Sequence, residues 1–485
     1  MYKPTIGLEI HSELKTRSKM FCASPNNPDE TRPNFNVCPI CLGHPGTLPV
    51  INEEAVKSVI KLGLAVAGKI PLVSRFDRKS YFYPDLPKGY QISQYKQPLV
   101  EGGTLNGVKI TRVHLEEDTG TLSHDKENHS LVDFNRAGVP LMELVTEPDI
   151  RSGEEAVAFA KELQLILRYL DISEANMEKG QMRVEVNISL REIADISMNQ
   201  FDNQHESAST LGTKVEVKNL NSFKSVKEAV DYEIKRQTEI LEEGKQVIHE
   251  TRGWDDVKRI TVSQRSKEKA HDYRYFPEPD LPPLDLVKFN IKELKDSLPE
   301  LPAAKRNRFE KEYGLTLAQA EILIEDNYIA GYFEKAVKEL KLLASDYKPQ
   351  VLFNYLTSDF FGLITEQGIS LKESKINPRQ LAELTGLIIE NKISSRIAKD
   401  VLGEMFLSGL NPRQIIQEKG LSQISDEAII KKTIEEVIME NSAALSDYRK
   451  GKANALQFLI GQAMKKLKGQ ANPEILKNLF EESLR

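Results

Sequence analysis

The stretch Ile6-Gly7-Leu8-Glu9-Ile10-His11-Ser12-Glu13 alternates apolar and polar side chains. A strand turns successive side chains to opposite faces, so Ile6, Leu8 and Ile10 share one face while Glu9, His11 and Glu13 share the other. The same alternation runs through Met182-Arg183-Val184-Glu185-Val186-Asn187-Ile188-Ser189-Leu190 and Lys214-Val215-Glu216-Val217-Lys218-Asn219. Each strand thus carries an apolar face and a face of polar groups able to do chemistry. The two long helices expected before about Asn290 are Val157 to Leu170, with Ser152 and Glu155 as a capping box, and Ser222 to Leu241, with Gly244 past its end. Together these predict an α+β fold: a large, mostly antiparallel sheet with helices on its apolar face and an open polar concavity.

Further along, the run Tyr275-Phe276-Pro277-Glu278-Pro279-Asp280-Leu281-Pro282-Pro283-Leu284 excludes regular structure and closes this region. Beyond it the pattern turns helical. Lys305 to Leu340 has long charged and apolar periodicity, and further helices are expected at Pro378 to Asn391, Ser394 to Leu407, Pro412 to Lys419, Asp426 to Asn441, Ala453 to Lys468 and Pro473 to Leu484. We divide the chain into a sheet domain, 1–292, a helical domain, 293–408, and a small helical tail, 409–485. Its 485 residues agree with about three domains.

Composition narrows the function classes. The net charge of −6 argues against a protein that coats nucleic acid through its overall field, while leaving room for a local basic patch. No window approaches ~18 uninterrupted apolar residues, and Met1-Tyr2-Lys3-Pro4 lacks the apolar core of an export signal, so a cytoplasmic chain with no membrane contact is expected. Three cysteines, all between Cys22 and Cys41, cannot staple a fold of this size and fit a reducing compartment.

Carboxylates crowd the polar strand faces. Glu9 lies beside His11, Glu116-Glu117-Asp118 follow the expected strand Val108 to Leu115, Glu147 sits in Val145-Thr146-Glu147-Pro148-Asp149, and Glu185 shares a face with Arg183 and Asn187. Converging carboxylates repel unless a cation joins them, and oxygen donors with one imidazole suit Mg²⁺ or Mn²⁺. The competing reading is a set of solvated strand-face charges paired with nearby Lys and Arg. Arg75 to Gln94 packs five aromatics and four cations into twenty residues, and Arg136 stands in the turn Asp133-Phe134-Asn135-Arg136-Ala137-Gly138-Val139-Pro140. Such cations hold phosphate oxygens and such aromatics stack on bases, or else the rings are core with snorkelling cations. There is no Walker A loop and no GxGxxG after a strand.

These stretches resemble one family. Ile6 to His11, Tyr81-Phe82-Tyr83-Pro84-Asp85 through Gln91-Ile92-Ser93-Gln94, His114-Leu115-Glu116-Glu117-Asp118-Thr119-Gly120, Asp133 to Leu141 and Glu147-Pro148-Asp149-Ile150-Arg151 are similar to the B subunit of the tRNA-dependent aspartyl/glutamyl amidotransferase, GatB. So are Val217-Lys218-Asn219-Leu220-Asn221-Ser222, Glu250-Thr251-Arg252 and Asp272 to Asp280, in the family's order across the strand-rich half, with Tyr448 to Ala453 and Gly469 to Pro473 in the tail.

The resemblance implies a subunit that uses ATP and Mg²⁺ to phosphorylate the side-chain carboxylate of misacylated Glu-tRNA(Gln), Asp-tRNA(Asn) or both. Ammonia from the glutaminase A subunit then displaces the phosphate, in a heterotrimer with A and C subunits. Carried over by motif, Glu9, His11, Glu116, Glu117, Glu147 and Glu185 are the catalytic candidates, with Glu9, His11, Glu117 and Glu147 as metal ligands. Glu185 stands where many members have Asp, so its longer arm puts direct ligation in question. Lys79, Lys88, Arg136 and Arg183 are the phosphate partners. Cys22, Cys38 and Cys41 resemble a zinc insertion whose second upstream cysteine is here Ser24, so zinc would recruit His44, an acidic side chain or water. Between Tyr448 and Lys468 the bases Arg449, Lys450, Lys452, Lys465, Lys466 and Lys468 stand without an acid, which the resemblance makes a tRNA-binding segment.

Two other readings compete with this one. In the first the chain is a non-catalytic tRNA-binding subunit of the same complex. In the second it is a self-sufficient amide ligase, which the absence of a plausible glutaminase nucleophile disfavours.

Overall fold

The computed structural model describes residues 2–124, 129–192, 212–266, 273–421, 427–449, 452–467, 471 and 473–484. The chain forms two compact units, Met1–Pro302 and Ala303–Arg485.

The first unit is built on a nine-stranded sheet. Its main strands are β1 (Tyr2–Glu13), β4 (Val108–Glu117), β5 (Pro140–Thr146), β6 (Met182–Glu192), β7 (Val215–Leu220), β8 (Glu250–Asp255) and β9 (Ile260–Ser266), in the order β9-β8-β7-β6-β1-β5-β4, with two-residue strands pairing along β4. Every neighbouring pair is antiparallel except β7 with β8. The α+β expectation therefore holds, with β1 at the centre. A separate three-stranded sheet joins β2 (Asp77–Ser80), β3 (Tyr90–Ser93) and Phe276–Pro277. That last pair lies inside the proline run expected to exclude regular structure, and it is accommodated as a two-residue strand at the sheet's edge.

The alternation in β1 does what its pattern requires. Ile6, Leu8 and Ile10 are at most 1% exposed and lie in one core with Val184, Val186, Val113 and Leu144 of the neighbouring strands. Each such side chain contributes about 1.5–3 kcal/mol through burial. Covering that face are α2 (Gly153–Tyr169) and α3 (Phe223–Glu242), both capped by a serine hydroxyl, Ser152 and Ser222. The reciprocal half of the α2 box is displaced by one residue, since Glu155 accepts from the backbone N–H of Arg151 rather than Ser152.

A third helix corrects the expectation of only two long ones. α1 (Glu53–Ala65) starts at Asn52, whose side chain accepts from Glu54 and Ala55 N–H, and buries Val56, Val59, Ile60 and Leu62 in the same core. Its flanking Pro and Gly residues hid an otherwise regular helical period.

In the second unit the periodic region Lys305 to Leu340 is three helices, Pro302–Tyr313, Leu317–Ile324 and Asn327–Leu343. The breaks have local causes. Gly314 takes φ +65°, Thr316 and Gln319 form a capping box, and the Asp326 carboxylate caps Tyr328 N–H. The later helices fall close to their expected places, at Pro378–Ile389, Ser395–Ser408, Pro412–Lys419, Glu427–Glu440, Ala453–Lys466 and Pro473–Ser483. Ile430, Ile434, Leu459, Ala463, Leu476 and Phe480 give the last three a small core of their own.

Candidate active site

Strand register assembles the site. Arg183 of β6, His11 of β1, Glu143 of β5 and His114 of β4 are successive cross-strand partners, forming one row across four strands on the polar face. Two residues along β1, Glu9 faces Glu185. Directly opposed carboxylates repel, and Lys218 of β7 answers them with its ammonium 2.7 Å from Glu185 Oε2.

Glu143 is the hub. Its Oε2 lies 3.4 Å from His11 Nε2 and 3.3 Å from His114 Nε2, and its Oε1 is 3.8 Å from Arg112. His11 Nε2 is also 3.7 Å from Glu116 and 3.8 Å from Glu9. Ser93 donates to the other oxygen of Glu116 at 3.0 Å. The ligand atoms of Glu9, His11 and Glu143 lie within 4.8 Å of one another, as do those of His114, Glu116 and Glu143. Oxygen donors around one or two imidazoles fit a hard divalent cation.

Charge crowding is visible in the titrations. Burial, with Glu143 and Glu185 nearby, pushes the Glu9 carboxyl up to about 7. Burial opposes the charging of His11, yet Glu143, Glu116 and Glu185 outweigh it and raise the imidazole to about 9. Burial would raise Glu143, but His114 and His11 hold it well below the usual carboxylate range. Lys79 of β2 stays cationic against burial because Glu116 and Glu143 face it. Among the described residues its ammonium has no hydrogen-bond or ion-pair partner; it lies 5.2 Å from the Tyr273 ring centre.

Glu117 and Glu147, singled out from the sequence as metal ligands, lie apart from this group. Glu117 extends β4 by one residue beyond Glu116, so the period of two turns it to the opposite face, where it pairs with Lys88 and accepts from Ile92 N–H at 2.9 Å. Glu147 follows the bulge at Val145/Thr146 and accepts from the Thr111 hydroxyl at 2.7 Å. Neither joins a close group of three metal-ligating atoms among the described residues. Arg183 and Arg136 converge on Asp118, at 2.9 and 3.6 Å, and Arg136 also donates to the carbonyls of Thr119 and Gly120. The turn carrying Arg136 needs Gly138, at φ +84°. Burial and Asp118 push Glu13 up to about 7.

Sequence reasoning missed Glu143, His114 and Arg112 as site residues. The available signal was the single carboxylate within the apolar strand Pro140–Thr146, since a buried charge requires partners.

The three cysteines converge, with sulfurs within 4.8 Å of one another. Ser24 Oγ stands 4.0 Å from Cys41 Sγ, and the buried Lys19 ammonium 3.9 Å from it. Hydrogen bonding with Cys22, helped by the Lys19 ammonium, outweighs burial and brings the Cys41 thiol down to about 5. In the tail, Arg449, Lys452, Lys465 and Lys466 are exposed. Lys466 is tied to Glu436 and Glu440 at 3.2 and 2.6 Å, and Lys452 to Asp447 at 3.0 Å. Lys450 and Lys468 lie outside the described residues.

Residues 4–292 match the family model of the GatB/GatE catalytic domain, and residues 331–484 that of the GatB domain. The chain is 46% identical to the aspartyl/glutamyl-tRNA(Asn/Gln) amidotransferase B subunit of Caldanaerobacter subterraneus, over 100% of this chain and 99% of that protein. It is 44% identical to the protein of the same name from Rippkaea orientalis, over 100% and 98%, and 46% identical to that from Thermodesulfovibrio yellowstonii, over 99% and 98%. With a matching domain model spanning the sheet unit and relatives aligned end to end, the chain belongs to the GatB family of aspartyl/glutamyl-tRNA(Asn/Gln) amidotransferase B subunits.

Proposed function

We propose that the polar face of the sheet activates the side-chain carboxylate of misacylated Glu-tRNA(Gln), Asp-tRNA(Asn) or both with ATP, then passes it to ammonia, in a complex with a glutaminase A subunit and a C subunit. The observation that carries this reading is the Glu143 carboxylate held between His11 and His114, with Glu9 and Glu116 at its edge and the Lys79 ammonium opposite.

A carboxylate is a poor acyl donor because its oxygen leaves badly; phosphorylation supplies a good leaving group. Glu9, His11 and Glu143 are the residues that would hold Mg²⁺, and their fit follows from their crowding, which leaves Glu9 half protonated near neutrality. When bound, that ion neutralises charge on the transferred phosphoryl group. Lys79 binds phosphate oxygens as a permanent cation. Asp118 fixes Arg183 and Arg136 in position at the end of the same face. Glu116, held by Ser93, and Glu185 offer carboxylates for ammonium, and the Glu13 carboxyl, titrating near 7, can take up the proton that ammonium must lose before it attacks. Attack by ammonia on the acyl phosphate forms the C–N bond, and phosphate departs with the former carboxylate oxygen.

The tail from about Gly409 contacts tRNA phosphates through Arg449, Lys450, Lys452, Lys465, Lys466 and Lys468. Cys22, Cys38 and Cys41 hold a structural zinc whose fourth ligand is not a thiol. The test of the central reading is transamidation by the reconstituted complex carrying Glu143→Gln, with tRNA binding measured in parallel. Lost transamidation with retained binding supports it, and full activity refutes it.

A further inference from the structure

Four tyrosine rings run in an unbroken series beside the acidic row. Tyr81 meets Tyr273 edge-on at 5.9 Å and 67°, and Tyr273 meets Tyr275 edge-on at 6.2 Å and 74°. Tyr275 then stacks on Tyr95 at 4.6 Å with only 13° between the planes. The backbone around them is pinned. Ser80 N–H donates to Tyr273 O at 2.9 Å, Tyr95 N–H donates to the Asp77 carboxylate at 3.1 Å, and Phe276 pairs with Arg78 of β2.

Two cations lie against the series, one beside its second ring and one beside its last. Lys79 Nζ is 5.2 Å from the Tyr273 ring centre, and Arg112 Cζ is 5.9 Å from that of Tyr95 while its Nη2 reaches toward Glu143. A purely structural stack would be covered, yet Tyr95 is 49% exposed. A rigid ring, half open and next to cations that suit phosphate, is the arrangement on which proteins stack flat bases. We propose that Tyr95, backed by Tyr275, is a nucleobase platform and that the ring it takes is adenine. This rests on the reading above, in which both substrates carry an adenine: ATP itself, and the 3′-terminal adenosine of the aminoacylated tRNA. The polyphosphate or the acyl end then points from the platform toward Lys79 and the acidic row.

The experiment uses the complex reconstituted with its partner subunits, carrying Tyr95→Ala, Tyr95→Leu or Tyr95→Phe. Equilibrium binding of ATP is compared with that of inorganic triphosphate, which lacks the base, and KM is measured for the aminoacyl-tRNA. If the platform holds ATP, Ala and Leu weaken ATP about tenfold or more while triphosphate binding stays within about twofold, and Phe restores it. If it holds the tRNA terminus, ATP binding is unchanged and the KM for aminoacyl-tRNA rises by a similar factor, again rescued by Phe. The proposal is overturned if neither changes, if triphosphate weakens as much as ATP, or if Phe is as damaging as Ala. A wild-type complex that binds neither ATP nor triphosphate overturns the phosphorylation reading as well, which separates the two failures.

Discussion

His11 Nε2 lies 3.4 Å from Glu143 Oε2, on neighbouring strands and at the same level of the sheet. That contact lets one carboxylate serve two imidazoles, since Glu143 is also 3.3 Å from His114. Replacing Glu143 with Gln removes the charge while keeping the shape. We predict a fall in transamidation of at least about a hundredfold, with tRNA affinity unchanged. His11→Ala should do the same, and unchanged turnover in either variant would remove that residue from the mechanism.

Proton and cation compete for this site, which gives a pH dependence of definite sign. Folded Glu9 titrates near 7 against its ordinary 4.5, so it favours folding at low pH and that contribution is lost as pH rises from 4.5 through 7. His11, near 9 against 6.5, contributes fully below 6.5 and loses its contribution as pH rises through 9. Mg²⁺ takes over the role of the lost protons. Its effect on Tm should therefore be small at about pH 6 and larger at about pH 8.5. An equal shift at both would contradict ligation by these groups.

Protein purified without added metal should carry zinc at more than about half an equivalent, and Cys41→Ser should abolish it. The three converging sulfurs supply most of a structural site. Less than about a tenth of an equivalent in the native chain would end this proposal.

Basic residues of the tail should differ in weight according to their partners. Lys465 and Arg449 should each reduce the salt slope of tRNA binding by about one unit when changed to Ala. Lys466 is already neutralised by Glu436 and Glu440, so its loss should matter less. Removing the chain beyond Gly409 should weaken tRNA binding while the sheet unit stays folded. Equal affinity at moderate salt would refute the assignment.

Strand alternation made much of the fold legible. In β1 it separated Ile6, Leu8 and Ile10 from Glu9 and His11 before any pairing was known, and the core obeys that division. Periodicity alone could not show which strands are neighbours. Glu143 reaches His11 only because β5 pairs with β1 in one register, and a single carboxylate in an apolar run does not reveal that register. Glu116 and Glu117 illustrate the opposite failure. They are adjacent in sequence, yet the strand continues through both and sends them to different faces. Likewise, Gly314 and the caps at Thr316 and Asp326 divide a helical period that reads as continuous.

Whether the carboxylate is phosphorylated before ammonia attacks can be read from the fate of one oxygen atom. The reconstituted complex is given ATP, ammonia and tRNA whose misacylated side-chain carboxylate is labelled with heavy oxygen, and the released phosphate is analysed by mass. Activation through an acyl phosphate predicts one labelled oxygen in each phosphate per amide formed. Unlabelled phosphate accompanying full amide formation would contradict it.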